Sequence, residues 1–424
     1  MGWLRVTALA GAIICMCAVS YSQSTVSCEN VRTLGAKGDG KTDDTAAIQS
    51  AMNQAQIEHT YTVCLPPGQY VINQPLVAAS GALSGSYLTI IGSSSMWAYD
   101  ETKNSTTILQ GPSWKSRSAE SNALIDMLGA AQVRVEDLQL RCTDSRPDGL
   151  EIGNAQFARI HQISIYGCNR GIYAQHGGLG IFTDNQVTNN NYGIELDGYG
   201  DSQLTGNYAN TNRHTHLPAA YNDLTGTGIY LTTGSNNVNI MGGKVEWNAH
   251  GIVVYASQGI NISSVQFDNN TAGHIFVYAD FPTPAGTYNA RSITITGNRF
   301  LSGGQNDASA GAGPYHRAAV IFDARVTTKV SAVVSGNSFR AGARCAYDNN
   351  AGPNCGDSGP ADAAIYVNES QGGMTNVAIT GNDLMDASSH YALIANGSGT
   401  TVKFTGNLTN QPNAALGGAN IVTK

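Results

Sequence analysis

Charge is scarce in this sequence. Only 12% of its 424 residues are Asp, Glu, Lys or Arg, and 23 basic against 30 acidic side chains leave a formal charge of -7. That balance gives no basic footprint for nucleic acid and no field to draw in an acidic polymer. Long apolar runs are scarce too. The longest is the 14-residue VTALAGAIICMCAV, and nothing reaches the 18 or so residues of a membrane-spanning helix. Cysteines and histidines never fall at CxxC or zinc-ligand spacing, which argues against a structural metal. The Gly-rich stretch at 35–40 runs into Gly40-Lys41-Thr42, but it is read as a loop ahead of a capping helix and not as a phosphate-binding loop. Helical periodicity is almost absent. What is abundant is glycine, 49 residues, in a chain 42% hydrophobic and rich in Asn, Ser and Thr. That composition suits a turn-rich β protein.

The first 22 residues have the three parts of an export signal: an Arg5-bearing start, the apolar run, then a small polar stretch at 20–22. Residues 1–22 are therefore expected to be a signal peptide, and the mature protein secreted or periplasmic, with no membrane association after cleavage. Beyond that segment lie six cysteines: Cys28, Cys64, Cys142, Cys168, Cys345 and Cys355. An even count in an exported chain favours disulfides, of which fifteen pairings are possible. Chain order suggests 28–64, 142–168 and 345–355.

Repeats set the architecture. Gly149, Gly171, Gly193, Gly228 and Gly251 each precede Ile or Leu in a short alternating strand, at spacings of 22, 22, 35 and 23. Each period also holds a second short strand, as at 159–165 and 292–297. A period near 22 with several short strands marks a parallel β-helix coil. Five Gly-Asn pairs, ending at Asn207, Asn298, Asn337, Asn382 and Asn407, predict asparagines stacked turn over turn. These asparagines read as structural, so the sequons at Asn104, Asn261, Asn269, Asn368, Asn396 and Asn407 are weak glycosylation signals. Asp43 and Asp44 precede a segment with Ile48, Ala51, Met52 and Ala55 on one helical face, so the Asp pair is expected to cap a helix that closes the first coil. The expected layout is an N-terminal cap with the first coils over 23–110, then a β-helix body with Gly-rich insertions over 111–424.

The stretch LGAKGDGKTDDTAAIQSAM, followed by Leu65-Pro-Pro-Gly-Gln-Tyr-Val-Ile, resembles the N-terminal signature of the pectate-lyase-like right-handed β-helix superfamily. That superfamily includes rhamnogalacturonases, polygalacturonases, exo-glucanases, pectate lyases and phage tailspike depolymerases. The resemblance implies an all-β, right-handed solenoid with a capping helix, acting on polysaccharide laid along its outer face. It does not select one reaction.

Alternation places the residue after each Gly-Ile/Leu pair outward. One outward column is Glu151, Tyr173, Glu195, Tyr230 and Val253; the next is Gly153, Gln175, Asp197, Thr232 and Tyr255. Glu195 and Asp197, two residues apart on one strand, are about 6.6 Å apart, and Glu151 and Glu195, two coils apart, about 9.6 Å. Both fall near the roughly 6.5–9.5 Å of an inverting acid–base pair. Glu195, Asp197 and Glu151 are therefore the catalytic candidates. Tyr173, Tyr199, Tyr230, Tyr255 and Tyr278 fall on or beside this face and suit stacking on sugars. The 35-residue spacing carries an insertion with Arg213, His214, His216 and Tyr221, a candidate binding loop.

Fragments of the polygalacturonase pattern are present, Pro147-Asp148-Gly149 and Ala249-His250-Gly251, but four coils apart and without the Asp-Asp coil. His250 is kept as a binding candidate and that active site is not carried over. The favoured expectation is a glycoside hydrolase acting on a pectin-like or other acidic polysaccharide, needing no cofactor. A lyase, with calcium as its metal, is the second expectation; Arg170 and Arg213 are then the basic candidates, although no Lys/Arg column appears. A non-catalytic glycan-binding or tailspike-like adhesion protein is the third. The partner is a polysaccharide, not nucleic acid, and the protein is expected to be a monomer or a homotrimer.

Overall fold

The computed structural model describes residues 27–78, 87–95, 105–116, 122–143, 146–212, 224–279, 282–283, 286–287, 289–301, 318–340, 363–385 and 390–423. The expected signal peptide, the insertion residues Arg213, His214, His216 and Tyr221, and Cys345 and Cys355 lie outside them.

Three long parallel sheets of 14, 11 and 12 strands wind around one axis. Each coil gives one short strand to each sheet, and the next coil repeats the set one strand further along. This is a right-handed parallel β-helix solenoid. Alternation within each strand sends one residue set to the axis. Leu150, Ile172, Ile194, Ile229 and Ile252 are buried in register in a single continuous core. The column of glycines before them exists because successive coils approach closely at that corner. A Cβ on Gly171 would lie 2.5 Å from the carbonyl oxygen of Gly193, and one on Gly193 would lie 2.3 Å from that of Gly228.

A helix over Thr45–Ile57 closes the first coil, burying Ile48, Ala51, Met52 and Ala55. The capping expectation needs a correction. Asp44 occupies the cap position, yet its carboxylate makes no cap hydrogen bond. It turns back to accept the amides of Lys37 and Gly38 at 2.6 and 3.0 Å, tying down the Gly-rich loop, while Asp43 accepts the Thr45 amide at 3.0 Å. Gly38 is required there, since at φ +59° a Cβ would stand 2.9 Å from the Tyr70 ring.

The disulfides Cys28–Cys64 and Cys142–Cys168 form as expected. Four of the five Gly-Asn asparagines stack: Asn298 donates to Asn337, Asn337 to Asn382 and Asn382 to Asn407, at 2.9–3.0 Å, whereas Asn207 accepts from Asn185 at 2.9 Å instead. A second ladder, not expected from the sequence, links Asn190, Asn212, Asn248 and Asn270 at 2.9–3.1 Å. It ends on His274, whose Nδ1 lies 2.9 Å from the Asn270 amide. His274 pairs with Gly251 across the sheet, so its ring fills the place of the next glycine and asparagine. Burial holds it neutral, with a pKa pushed down to about 3.

Candidate functional site

The outer face of the twelve-stranded sheet carries the expected columns in register. Asp126, Glu151, Tyr173, Glu195, Tyr230, Val253 and Phe276 stand on successive strands. Beside them run Gly153, Gln175 and Asp197, with Thr232 on the following coil. The corner that launches these strands is stiffened by the Cys142–Cys168 disulfide, by the Asn190 ladder and by Cys168 N–H donating to Asn190 Oδ1 at 2.8 Å.

From that corner project Asp148 and Arg170. Asp148 is buried, and Arg170 donates to its Oδ2 through Nε and Nη2 at 3.0 and 2.5 Å. The other oxygen accepts Asn169 Nδ2 and the Arg170 amide. Burial works against the guanidinium, but the Asp148 carboxylate outweighs it and holds Arg170 charged. Its plane lies 3.4 Å from the centre of the Tyr173 ring, a cation–π contact. Tyr173 in turn donates to Asp197 Oδ2 at 3.1 Å, and Thr232 donates to Asp197 Oδ1 at 2.5 Å. Gln175 donates to Glu151 Oε1 at 3.0 Å.

The two glutamates sit in unfavourable surroundings for charge. Burial pushes Glu195 up to about 7; Arg170 opposes this, and Asp197 and Asp148 add to it. Burial also pushes Glu151 up to about 7, helped by Asp126 and Asp148 and opposed by Arg170 and Gln175. Glu195 is half-buried and its carboxyl takes no hydrogen bond among the described residues. Glu151 is nearly enclosed at 3% exposure. Tyr173 is raised to about 12 by burial, and burial with the neighbouring Tyr278 raises Tyr230 as well.

The remaining candidates scatter. Tyr230 is half-buried and stacks on Tyr192, with ring centres 6.1 Å apart, and Tyr255 stacks on Tyr278 at 4.6 Å. Tyr199 departs from expectation: it is fully buried in the core, edge-on to Phe182, because Gly198 at φ +60° turns the chain inward after the strand ends. His250 is also buried, beside Phe276, at the corner where alternation has not yet begun. It stands four coils from Asp148, so the two polygalacturonase-like fragments are not brought together. Asn368, within a sequon, is buried and donates to Asp323 at 2.8 Å, so it does not present an acceptor for glycan. The sequence does not mark Asp126 and Asp148 as part of the charge cluster, for Asp126 lacks the Gly-Ile signature and Asp148 precedes it.

A family model described as right handed beta helix region matches residues 148–423, well over half of the chain. The protein belongs to the right-handed β-helix family. The N-terminal segment, residues 28–113, matches a second model, Rhamnogalacturonase A/epimerase, pectate lyase-like. Together they place this β-helix protein in the pectate-lyase-like superfamily. It is similar to Alginate lyase 7 of Azotobacter vinelandii, 52% identical over 54 residues, which are 13% of this chain and 6% of that protein. It is also similar to Mannuronan C5-epimerase AlgE3 of the same organism, 46% identical over 55 residues, 13% of this chain and 3% of that one. The chain therefore shares one short segment with these relatives and spans a small part of their length. Among solved structures, the Agl-KA catalytic domain superposes with a TM-score of 0.68 at 13% identity, covering 94% of this chain and 68% of that one. The Dettilon tailspike protein superposes at 0.63 with 15% identity, covering 91% and 68%. At these identities the superpositions speak for the fold.

Among the described residues, no group of three or more His, Cys, Asp or Glu side chains is arranged to hold a metal, and no helix is long and apolar enough to cross a membrane.

Proposed function

We propose that the protein is an extracellular polysaccharide-cleaving enzyme, a glycoside hydrolase in which Glu195 is the general acid and Asp197 the general base. One observation carries this: two carboxyl groups on one strand with different tasks imposed by their surroundings. Glu195 has no hydrogen-bond partner among the described residues, and burial first of all raises it to about 7, so it holds a proton near neutral pH. Asp197 is fixed by two hydroxyls, Tyr173 and Thr232, and can orient a water. Their separation along the strand, about 6.6 Å between Cα positions, leaves room for that water and suits inversion. Arg170 limits how far Glu195 is raised and braces Tyr173. Glu151, held by Gln175, is the alternative acid or base. Tyr230, with Tyr192 stacked on it, offers a face for a sugar ring on the coil after Glu195.

A lyase is the second reading, supported by the short segment shared with Alginate lyase 7 and by the Arg170–Tyr173 contact beside Glu195. Purified protein on a polysaccharide panel separates them. Hydrolysis gives new reducing ends without ultraviolet absorbance; elimination gives both. Glu195→Gln should cost at least about a hundredfold in rate if Glu195 is the acid. Full activity in that variant removes Glu195 from the mechanism. Binding without cleavage would support an adhesion protein.

A further inference from the structure

We propose that this site takes a glycan without carboxylates at the units flanking the scissile bond, a neutral polysaccharide of the glucan kind, against the expectation of a pectin-like substrate. The inference rests on the hydrolase reading for cleavage, but binding tests it separately. Over the site coils the described face presents Asp126, Asp148, Glu151, Glu195 and Asp197, with Arg170 among them. Arg146, at the neighbouring corner, is occupied by Asn191 at 2.9 Å, and His176 lies past the strand end, exposed.

Among the described residues of this face, Arg170 is the cation placed to receive a uronate, and it is committed. Both of its donors toward the corner go to one oxygen of Asp148, its plane covers Tyr173, and Asp148 is itself buried. Recruiting Arg170 to a substrate carboxylate would leave Asp148 enclosed without its cation, a costly state. The site's own glutamates already resist ionisation, through burial first of all, with neighbouring carboxylates adding to it. A further anion from the substrate would join that cluster, and like charges so juxtaposed are strongly disfavoured. Among the described residues, a neutral sugar meets acceptors for its hydroxyls in Glu151 and Asp197, with the amide of Gln175 and the hydroxyl of Thr232 beside them.

The test uses the full chain and two matched polymer pairs at pH 8: polygalacturonate and alginate, each beside its carboxyl-reduced form, with an α-glucan and a β-glucan. Retention in polymer-containing gels at low salt scores binding, and reducing ends score cleavage. Reduced polymers or glucans should be retained or cleaved at least about tenfold better than the uronates. Glu151→Gln should narrow that gap at least about twofold, because it removes charge at the site. Equal or better use of a uronate polymer overturns the proposal, as does retention of no polymer. An unchanged gap in Glu151→Gln also overturns it, since the discrimination would then come from the overall charge. Neutral retention without reducing ends leaves the proposal standing and removes the hydrolase reading. Ultraviolet-absorbing products from a uronate remove both.

Discussion

The outer face of the twelve-stranded sheet changes character halfway along the solenoid. Over the strands Asp148–Gly153 to Thr227–Leu231 its central column is Glu151, Tyr173, Glu195 and Tyr230. Over the strands from His250–Tyr255 to Tyr391–Asn396 the same column is Val253, Phe276, Ile321, Tyr366 and Ile394, all nearly enclosed. The inward set stays apolar throughout, mostly Ile, Leu and Val, with Ala174, Phe322 and Ala395 among them. The coil is therefore built by the inward set alone. The outward set is free to carry chemistry in one half and packing in the other, and the two halves should respond oppositely to substitution.

The largest contrast comes from one substitution in each half. Glu195→Gln should lower the rate at least about a hundredfold while leaving thermal stability equal or slightly higher, because it removes a half-buried group that resists charge. Phe276→Ala, at 3% exposure, should cost about 3–5 kcal/mol of stability while leaving the rate of the folded fraction within a few-fold. Denaturant melts paired with kinetics on folded protein check both. Loss of activity in the second without loss of stability would erase the distinction between the halves.

The stack beneath the face offers the next test. Asn248 takes the amide and side-chain N–H of Asn212 and donates to Ala209 O and to Asn270, all at 2.9–3.0 Å. Asn248→Ala strands several buried groups and should cost about 2–3 kcal/mol or more. Asn407, at the far end of the other ladder and only half-buried, should cost about 1 kcal/mol as Asn407→Ala. Equal losses at the two sites would mean that ladder position does not matter.

Much of this was legible in the sequence, for a geometric reason. A 22-residue period fixes coil register, and a two-residue period fixes facing, so the glycine column and the outward Glu151–Tyr173–Glu195 column followed from spacing alone. Two kinds of residue escaped that logic. Tyr199 and His250 lie just beyond or at the edge of their strands, where alternation stops and the local turn decides facing. The Asn190–Asn270 ladder carries no glycine partner, and the 35-residue spacing interrupts its repeat. The Asp148–Arg170 pair joins residues 22 apart, which a period can suggest, but the commitment of that arginine needed the packed corner.

Acidity sharpens the comparison further. Glu151 and Glu195 have folded pKa values near 7, above the usual carboxylate value of 4.5, through burial first and neighbouring carboxylates second. A raised carboxyl favours the folded state while protonated. Its contribution is full below the unfolded value and is lost as pH rises through the folded one. Stability should therefore fall between about pH 5 and pH 8, by on the order of 1–3 kcal/mol, and Glu151→Gln should remove part of that slope. The rate should fall over the alkaline side of about pH 7 as Glu195 loses its proton. A shallower stability profile in Glu151→Gln than in the parent would tie the slope to this half of the sheet.

The smallest effects come from a matched pair of hydroxyl deletions in one column. Tyr173 donates to Asp197 at 3.1 Å, and Tyr366 donates to Asn368 at 3.1 Å. Tyr173→Phe keeps the ring beneath Arg170 and loses the hydroxyl that orients Asp197, along with its longer 3.4 Å approach to Gln175. Its kcat should drop about three- to tenfold with little change in KM, since a net hydrogen bond is worth about 0.5–1.5 kcal/mol. Tyr366→Phe loses the same kind of bond but orients no reacting group, so it should cost about 1 kcal/mol of stability and leave kcat unchanged. If both variants lowered kcat alike, the reacting groups would have to extend into the apolar half. If neither did, the Tyr173 hydroxyl would be a packing contact and Asp197 would hold its position through Thr232 alone.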